Sequence, residues 1–221
     1  MARKLSIMDS GWLMMETRET PMHVGGLALF AVPEGAPSDY MESMYRYMVE
    51  VDGVCRPFSQ KIQSRLPGRL DATWVDDRNF DIDYHVRHSA LPRPGRVREL
   101  LALVSRLHAQ RLDPSRPLWE SYLIEGLEGN RFALYTKMHH SMVDGMAGMH
   151  LMQSRMATSA DERLPAPWSG EWDSRTKPRK KSVAVAAKAS VLDGVGSVRR
   201  GADQLVDLLR QPKESNVKTI Y

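Results

Sequence analysis

The sequence predicts a mixed fold, α/β or α+β, because helical and strand-like segments interleave along the chain. Three stretches carry the prediction. Arg96 to Gln110 has the plainest helical stripe: Val97, Leu100, Leu101, Val104, Leu107 and His108 fall on one face, with Arg98, Glu99 and Arg106 off it. Trp119–Leu127 and Arg131–His139 are strand-like and flank Glu128-Gly129-Asn130, a hairpin signal. Met22 to Val32 is an almost unbroken apolar run, the pattern of a buried strand, and Gly25-Gly26 within it permits a bulge or the close approach of another element.

The remaining elements follow in chain order. Residues 8–17 read as a short helix capped by Asp9 or Ser10. Pro33 to Pro37 is a turn, and Ser38 to Val51 a helix begun by Ser38 or Asp39. Residues 54–80 are irregular, with a strand-like piece at Lys61–Leu66 before a Pro67-Gly68 turn. Tyr84 to Leu91 alternates as a strand does, and Pro92-Arg93-Pro94-Gly95 ends it. Gly145 to Met156 reads as a helix with Asp144 near its start. The domain reading is then 1–156 as one unit, 157–182 as a linker rich in Pro, Ser and charge, and 183–221 as a helical connector.

Composition bounds the function. At 221 residues the chain can bury one sizeable core, and 42% hydrophobic with 26% charged residues is ordinary for a globular protein. The net charge of +4 is mild and the basic residues are scattered without a recognition motif, which argues against nucleic acid. The single cysteine, Cys55, excludes an internal disulfide framework, has no nearby histidine in sequence, and reads as a buried inert thiol. It fits a reducing, cytoplasmic setting. No apolar run approaches the length of about 20 residues that spans a bilayer, so contact with the inner membrane or a lipid inclusion is expected to be peripheral. The basic run Arg175 to Lys181 reads as solvated linker. Gly-x-Ser-x-Gly, Walker and Gly-x-Gly-x-x-Gly patterns are absent.

The chemistry concentrates in His139-His140-Ser141-Met142-Val143-Asp144-Gly145. If the preceding strand continues, Phe132, Leu134, Thr136, Met138 and His140 share one face, and Ala133, Tyr135, Lys137 and His139 the other. His140 then lies on the more apolar side, where low polarity keeps an imidazole neutral and able to accept a proton from a hydroxyl. Asp144 can cap the helix that begins at Gly145 or orient His140 through a ring nitrogen. A zinc site through His140 and Asp144 needs a third ligand, and neither His150, His85 nor His88 stands at a recognised ligand spacing. No metal is expected.

These residues resemble a known family. The motif at 139–145, the opening from Leu5 through Trp12 to Pro21-Met22-His23-Val24-Gly25-Gly26-Leu27, and Asp83 to Arg87, Pro117-Leu118-Trp119-Glu120 and Gly126 to His150 are similar to segments of the bacterial wax ester synthase/diacylglycerol acyltransferases. These belong with chloramphenicol acetyltransferase and the peptide-synthetase condensation domains in the CoA-dependent acyltransferase superfamily. The resemblance implies a mixed sheet flanked by helices, forming the N-terminal half of a two-half enzyme. It implies transfer of a fatty acyl group from acyl-CoA to a long-chain alcohol or diacylglycerol, without a further cofactor. His140 matches the family's base, His139 its supporting histidine, and Asp144 and Gly145 its loop-shaping positions. Gly148, Met149 and Met152 would border the acceptor or pack in the core. His23 and His85 would line the tunnel or pack, and Pro117-Leu118-Trp119 would be structural. The family's Asn-Asp motif, carried in a C-terminal half, has no counterpart among Asn79, Asn130 and Asn216. The resemblance therefore implies the missing half as a partner. A condensation-type relative and a non-catalytic acyl-binding half-domain are the alternatives.

Overall fold

The computed structural model describes residues 3–65, 71–142, 155 and 164–170. Its elements run β1 (Arg3–Lys4), α1 (Ile7–Met15), β2 (His23–Ala31), α2 (Tyr40–Val49), β3 (Gln60–Gln63), β4 (Thr73–Asp76), α3 (Ile82–His85), β5 (Val86–Ala90), α4 (Val97–Ala109), β6 (Trp119–Leu127) and β7 (Arg131–His139). The expected α+β class holds. A four-stranded sheet has the order β2-β7-β6-β5, antiparallel except for the parallel β5–β6 pair, which α4 connects. A small second sheet, β1-β4-β3, gathers part of the stretch that looked irregular in sequence.

The hairpin β6–β7 stands where its turn signal put it, with Gly129 and Asn130 both at positive φ. β7 is sandwiched between β2 and β6, and both its faces are covered. On one side Phe132 and Met138 join Met48, Phe58, Val86, Trp119, Leu123 and Trp168, with α2 packed over them through Met41, Met44 and Tyr45. On the other, Ala133 and Tyr135 join Tyr122, Ile124 and Leu127 beneath Leu100, Leu103, Val104 and Leu107 of α4. Alternation along β7 thus feeds two cores, not a core and a solvent face.

Two sequence expectations change, the burial of β2 and the cap of α1, and the segment read as a strand from Tyr84 begins at Val86, with Tyr84 and His85 in α3. Among the described residues β2 is an edge strand of mixed exposure rather than a buried one, because only β7 pairs with it there. It pairs with β7 in unbroken register, so Gly25-Gly26 makes no bulge. Gly25 instead permits close approach: a Cβ there would stand 2.8 Å from the Tyr135 hydroxyl. The register shift falls in β6 between Ile124 and Leu127. Beside it Gly95, at φ +71, comes so close to the Gly126 carbonyl that a Cβ would lie 1.8 Å from that oxygen. The first helix is capped by Ser6, whose hydroxyl accepts the Asp9 N–H at 3.0 Å, while Asp9 answers as the other member of a capping box. Asp39 precedes α2 without a side-chain cap bond.

The stretch 157–182, read as linker, is partly described. Residues 164–170 return to the first compact unit, where Ala166 and Trp168 are buried. The Trp168 indole N–H donates to the Met48 carbonyl at 2.9 Å. Its ring completes a column: Phe80 stacks on His85, His85 on Trp119 at 4.7 Å, and Trp119 on Trp168 at 5.0 Å. A second unit, 157–162 with 175–221, lies outside the described residues, as do the helix expected at 145–156 and the Pro67-Gly68 turn.

Lys137 is the exception among the buried strand residues, at 0% side-chain exposure. Its Nζ donates to the carbonyls of Leu107 and Gln110 at 2.9 and 2.8 Å, satisfying the otherwise open end of α4. It also lies 3.3 Å from Glu120, which accepts the Tyr122 hydroxyl at 2.6 Å. Burial pulls the ammonium below its usual value while Glu120 opposes that pull. Removing one partner of such a pair strands the other charge. Lys137→Met is therefore expected to cost about 3–5 kcal/mol in urea unfolding, and adding Glu120→Gln should recover part of that loss.

Candidate active site

The site is built where β7 ends. The strand keeps its alternation through His139, which the structure places on the Tyr135–Lys137 face as the spacing predicted, fully buried. The backbone then turns. The His139 N–H donates to the Leu118 carbonyl, the His140 N–H to the Met22 carbonyl and the Met142 N–H back to the His139 carbonyl, each at 2.9 Å. The first residues of the motif are thus clamped between the entry to β6 and the entry to β2. His140 is the first residue of the turn rather than a strand position, and it is half-buried.

His139 is held through Nδ1 and faces a carboxylate with Nε2. Its Nδ1 accepts the Ser141 N–H at 3.0 Å and lies 2.7 Å from the Ser141 hydroxyl. Its Nε2 faces Glu16 Oε1 at 3.8 Å. Glu16 closes α1, is buried, and accepts the Arg111 guanidinium at 2.7 Å and the Met22 N–H at 3.4 Å. Burial on its own would raise the Glu16 carboxyl. The Arg111 hydrogen bond, the adjacent His139 ring and the Met22 N–H outweigh burial and hold it below its ordinary value. His139 thereby ties α1, the segment after α4 and the motif together.

His140 faces a different neighbour. Its ring stacks on Trp12 of α1, centroids 4.6 Å apart and planes 21° from parallel. An indole is an apolar surface for one face of the imidazole. Asp144, Gly145, Gly148, Met149 and Met152 lie outside the described residues. Among the described residues no cluster of His, Cys, Asp and Glu could hold a metal ion.

His85, His23 and His108 are built into the frame. His85 is fully buried, its Nδ1 2.7 Å from the Trp119 carbonyl, between the rings of Phe80 and Trp119. His23, paired across the sheet with His139, donates through Nε2 to the His108 carbonyl at 2.7 Å. The Tyr135 hydroxyl lies 2.7 Å from His108 Nδ1. Leu118 and Trp119 of Pro117-Leu118-Trp119 are buried, with the Trp119 indole N–H donating to the Phe58 carbonyl at 2.9 Å. Burial pushes the Cys55 thiol up, away from the reactive thiolate. Glu16, Arg111 and Ser141 carry no motif of their own in sequence. The one available hint was an acidic residue closing an otherwise apolar helix.

This arrangement of sheets and covering helices is that of an acyltransferase of the wax ester synthase/diacylglycerol acyltransferase fold. The wax ester synthase/diacylglycerol acyltransferase of Marinobacter aquaeolei superposes with a TM-score of 0.71 at 38% identity, over 89% of this chain and 47% of that one. A model of the wax ester synthase/diacylglycerol acyltransferase catalytic domain matches residues 5–220, and the chain belongs to that family. It is 45% identical over 172 residues to a probable diacylglycerol O-acyltransferase of Mycobacterium tuberculosis, covering 77% of this chain and 38% of that protein. To the O-acyltransferase WSD of Acinetobacter baylyi it is 36% identical over 211 residues, covering 95% of this chain and 44% of that protein. The chain thus spans less than half the length of each.

The depressed Glu16 carboxyl makes a testable statement about pH. Because its value is lower folded than unfolded, the Glu16 contribution to stability is complete above the unfolded value of 4.5 and fades as pH falls through the folded value. The expected outcome is that Glu16→Gln flattens the acid limb of a stability–pH profile followed by circular dichroism. An unchanged acid limb would contradict the pairing.

Proposed function

We propose that the chain is the base-bearing half of an acyltransferase that moves a fatty acyl group from acyl-CoA to a long-chain alcohol, giving a wax ester, or to diacylglycerol, giving triacylglycerol. The observation that carries the reading is the family's His-His-x-x-x-Asp-Gly pattern at the clamped end of β7, with the second imidazole set against an indole. In this reading His140 takes the acceptor's hydroxyl proton as its oxygen attacks the thioester carbonyl. The tetrahedral oxyanion collapses, the C–S bond breaks, and the CoA thiolate leaves with the proton returned by His140. His139 holds the turn, Asp144 and Gly145 shape the loop that follows, and Gly148 and Met149 border the acceptor chain. No cofactor beyond acyl-CoA is required.

The relatives' greater length supports a C-terminal half as the partner that completes the acyl and acceptor sites. No helix among the described residues is long and apolar enough to cross a membrane. A peripheral position on the inner membrane or on a lipid inclusion agrees with apolar substrates.

With a C-terminal half supplied, palmitoyl-CoA and hexadecanol should yield ester and free CoA. His140→Ala should lower turnover by about 10²–10⁴. Near-normal turnover in that variant would remove His140 as base. Acyl-CoA binding without ester from the unsubstituted protein would make the chain a non-catalytic acyl-binding half. CoA release that needs a carrier protein in place of hexadecanol would make it condensation-type.

A further inference from the structure

We propose that Trp12 is the positioning residue of His140: the indole of α1 fixes the plane of the imidazole so that a ring-edge nitrogen meets the acceptor hydroxyl. The inference rests on the reading of His140 as base and adds the residue that orients it.

Three observations carry it. The two rings are stacked at 4.6 Å and 21°, within the range of a favourable aromatic pair. Among the described residues Trp12 belongs to none of the three hydrophobic clusters, whose α1 member is its neighbour Leu13. Among the described residues the largest side chain of α1 therefore meets one imidazole rather than a core cluster. The backbone on both sides is fixed, by the Ser6–Asp9 capping box at the start of α1 and the Arg111–Glu16 pair at its end, and by the Met22 carbonyl that accepts the His140 N–H. An indole on an anchored helix can set a ring's orientation, whereas one on a loose helix could not.

Position on the helix adds direction. Met8 and Met15 stand four residues before and three after Trp12, on the same face of α1, and are 67% and 54% exposed. A Met-Trp-Met stripe thus leads from outside to the stacked imidazole, a surface suited to an alkyl chain whose hydroxyl is the last part to arrive.

The test compares Trp12→Phe with Trp12→Leu in the full chain, the C-terminal half being supplied for activity. Phenylalanine keeps a ring face, while leucine keeps apolar bulk and removes it. Trp12→Leu is expected to lower kcat about tenfold, near the upper end of what an aromatic pair contributes, with KM for acyl-CoA unchanged. Trp12→Phe should stay within about threefold of the unsubstituted enzyme. An independent readout is the proton NMR signal of the His140 ring, assigned by its loss in His140→Ala. Stacking shifts it upfield, and Trp12→Leu should return it downfield. An unmoved signal, a kcat equal to the unsubstituted enzyme, an effect confined to KM, or Trp12→Phe falling as far as Trp12→Leu would each overturn the proposal. The NMR signal reports the stack whether or not ester is made, so failure of the acyltransferase reading shows separately, as ester formation that survives His140→Ala.

Discussion

Strand β7 has no solvent face, and this constraint shapes everything around it. Its even-numbered side chains fill the core under α2 and its odd-numbered ones the core under α4. A slip of one residue would exchange the two sets and drive Lys137 among Phe58, Trp119 and Trp168. The register with β2 and β6 is fixed by that penalty. With register fixed, the end of the strand is fixed, and so is the point at which His139 stops and His140 begins. The proposed base follows directly on the end of that strand.

The two adjacent histidines illustrate how one dipeptide serves two purposes. His139 is turned into the protein and gripped by Ser141 and Glu16; His140 is turned onto the indole of Trp12. The division follows from chain geometry. The last strand residue must obey the sheet's alternation, while the first turn residue is released from it. In the proposed reading His140 is the base, and the stacked indole sets the plane of its ring. His139 is engaged through Nδ1 by Ser141 and turns Nε2 toward Glu16 in a buried polar pocket.

Much of this was legible in the residues. The hairpin and α4 follow from turn chemistry and helical spacing, and the motif from its rarity and flanking segments. What escaped was long-range. The small sheet β1-β4-β3 depends on two residues at the N-terminus meeting a strand some seventy positions away, which no local pattern encodes. β2 looked buried because its composition is apolar, but its place at the sheet edge is decided by topology. Glu16 and Arg111 meet His139 only after the fold is made. Lys137 interrupts an apolar strand, and sequence offered no sign that α4 would end against it.

The column of rings from Phe80 through His85 and Trp119 to Trp168 has a spectroscopic corollary. Two buried indoles 5.0 Å apart couple their strong far-ultraviolet transitions, so they give a circular dichroism couplet that neither gives alone. One of the pair belongs to the central sheet and the other to a short return segment at 164–170. The protein therefore contains its own optical gauge of whether that segment is seated, readable without any label.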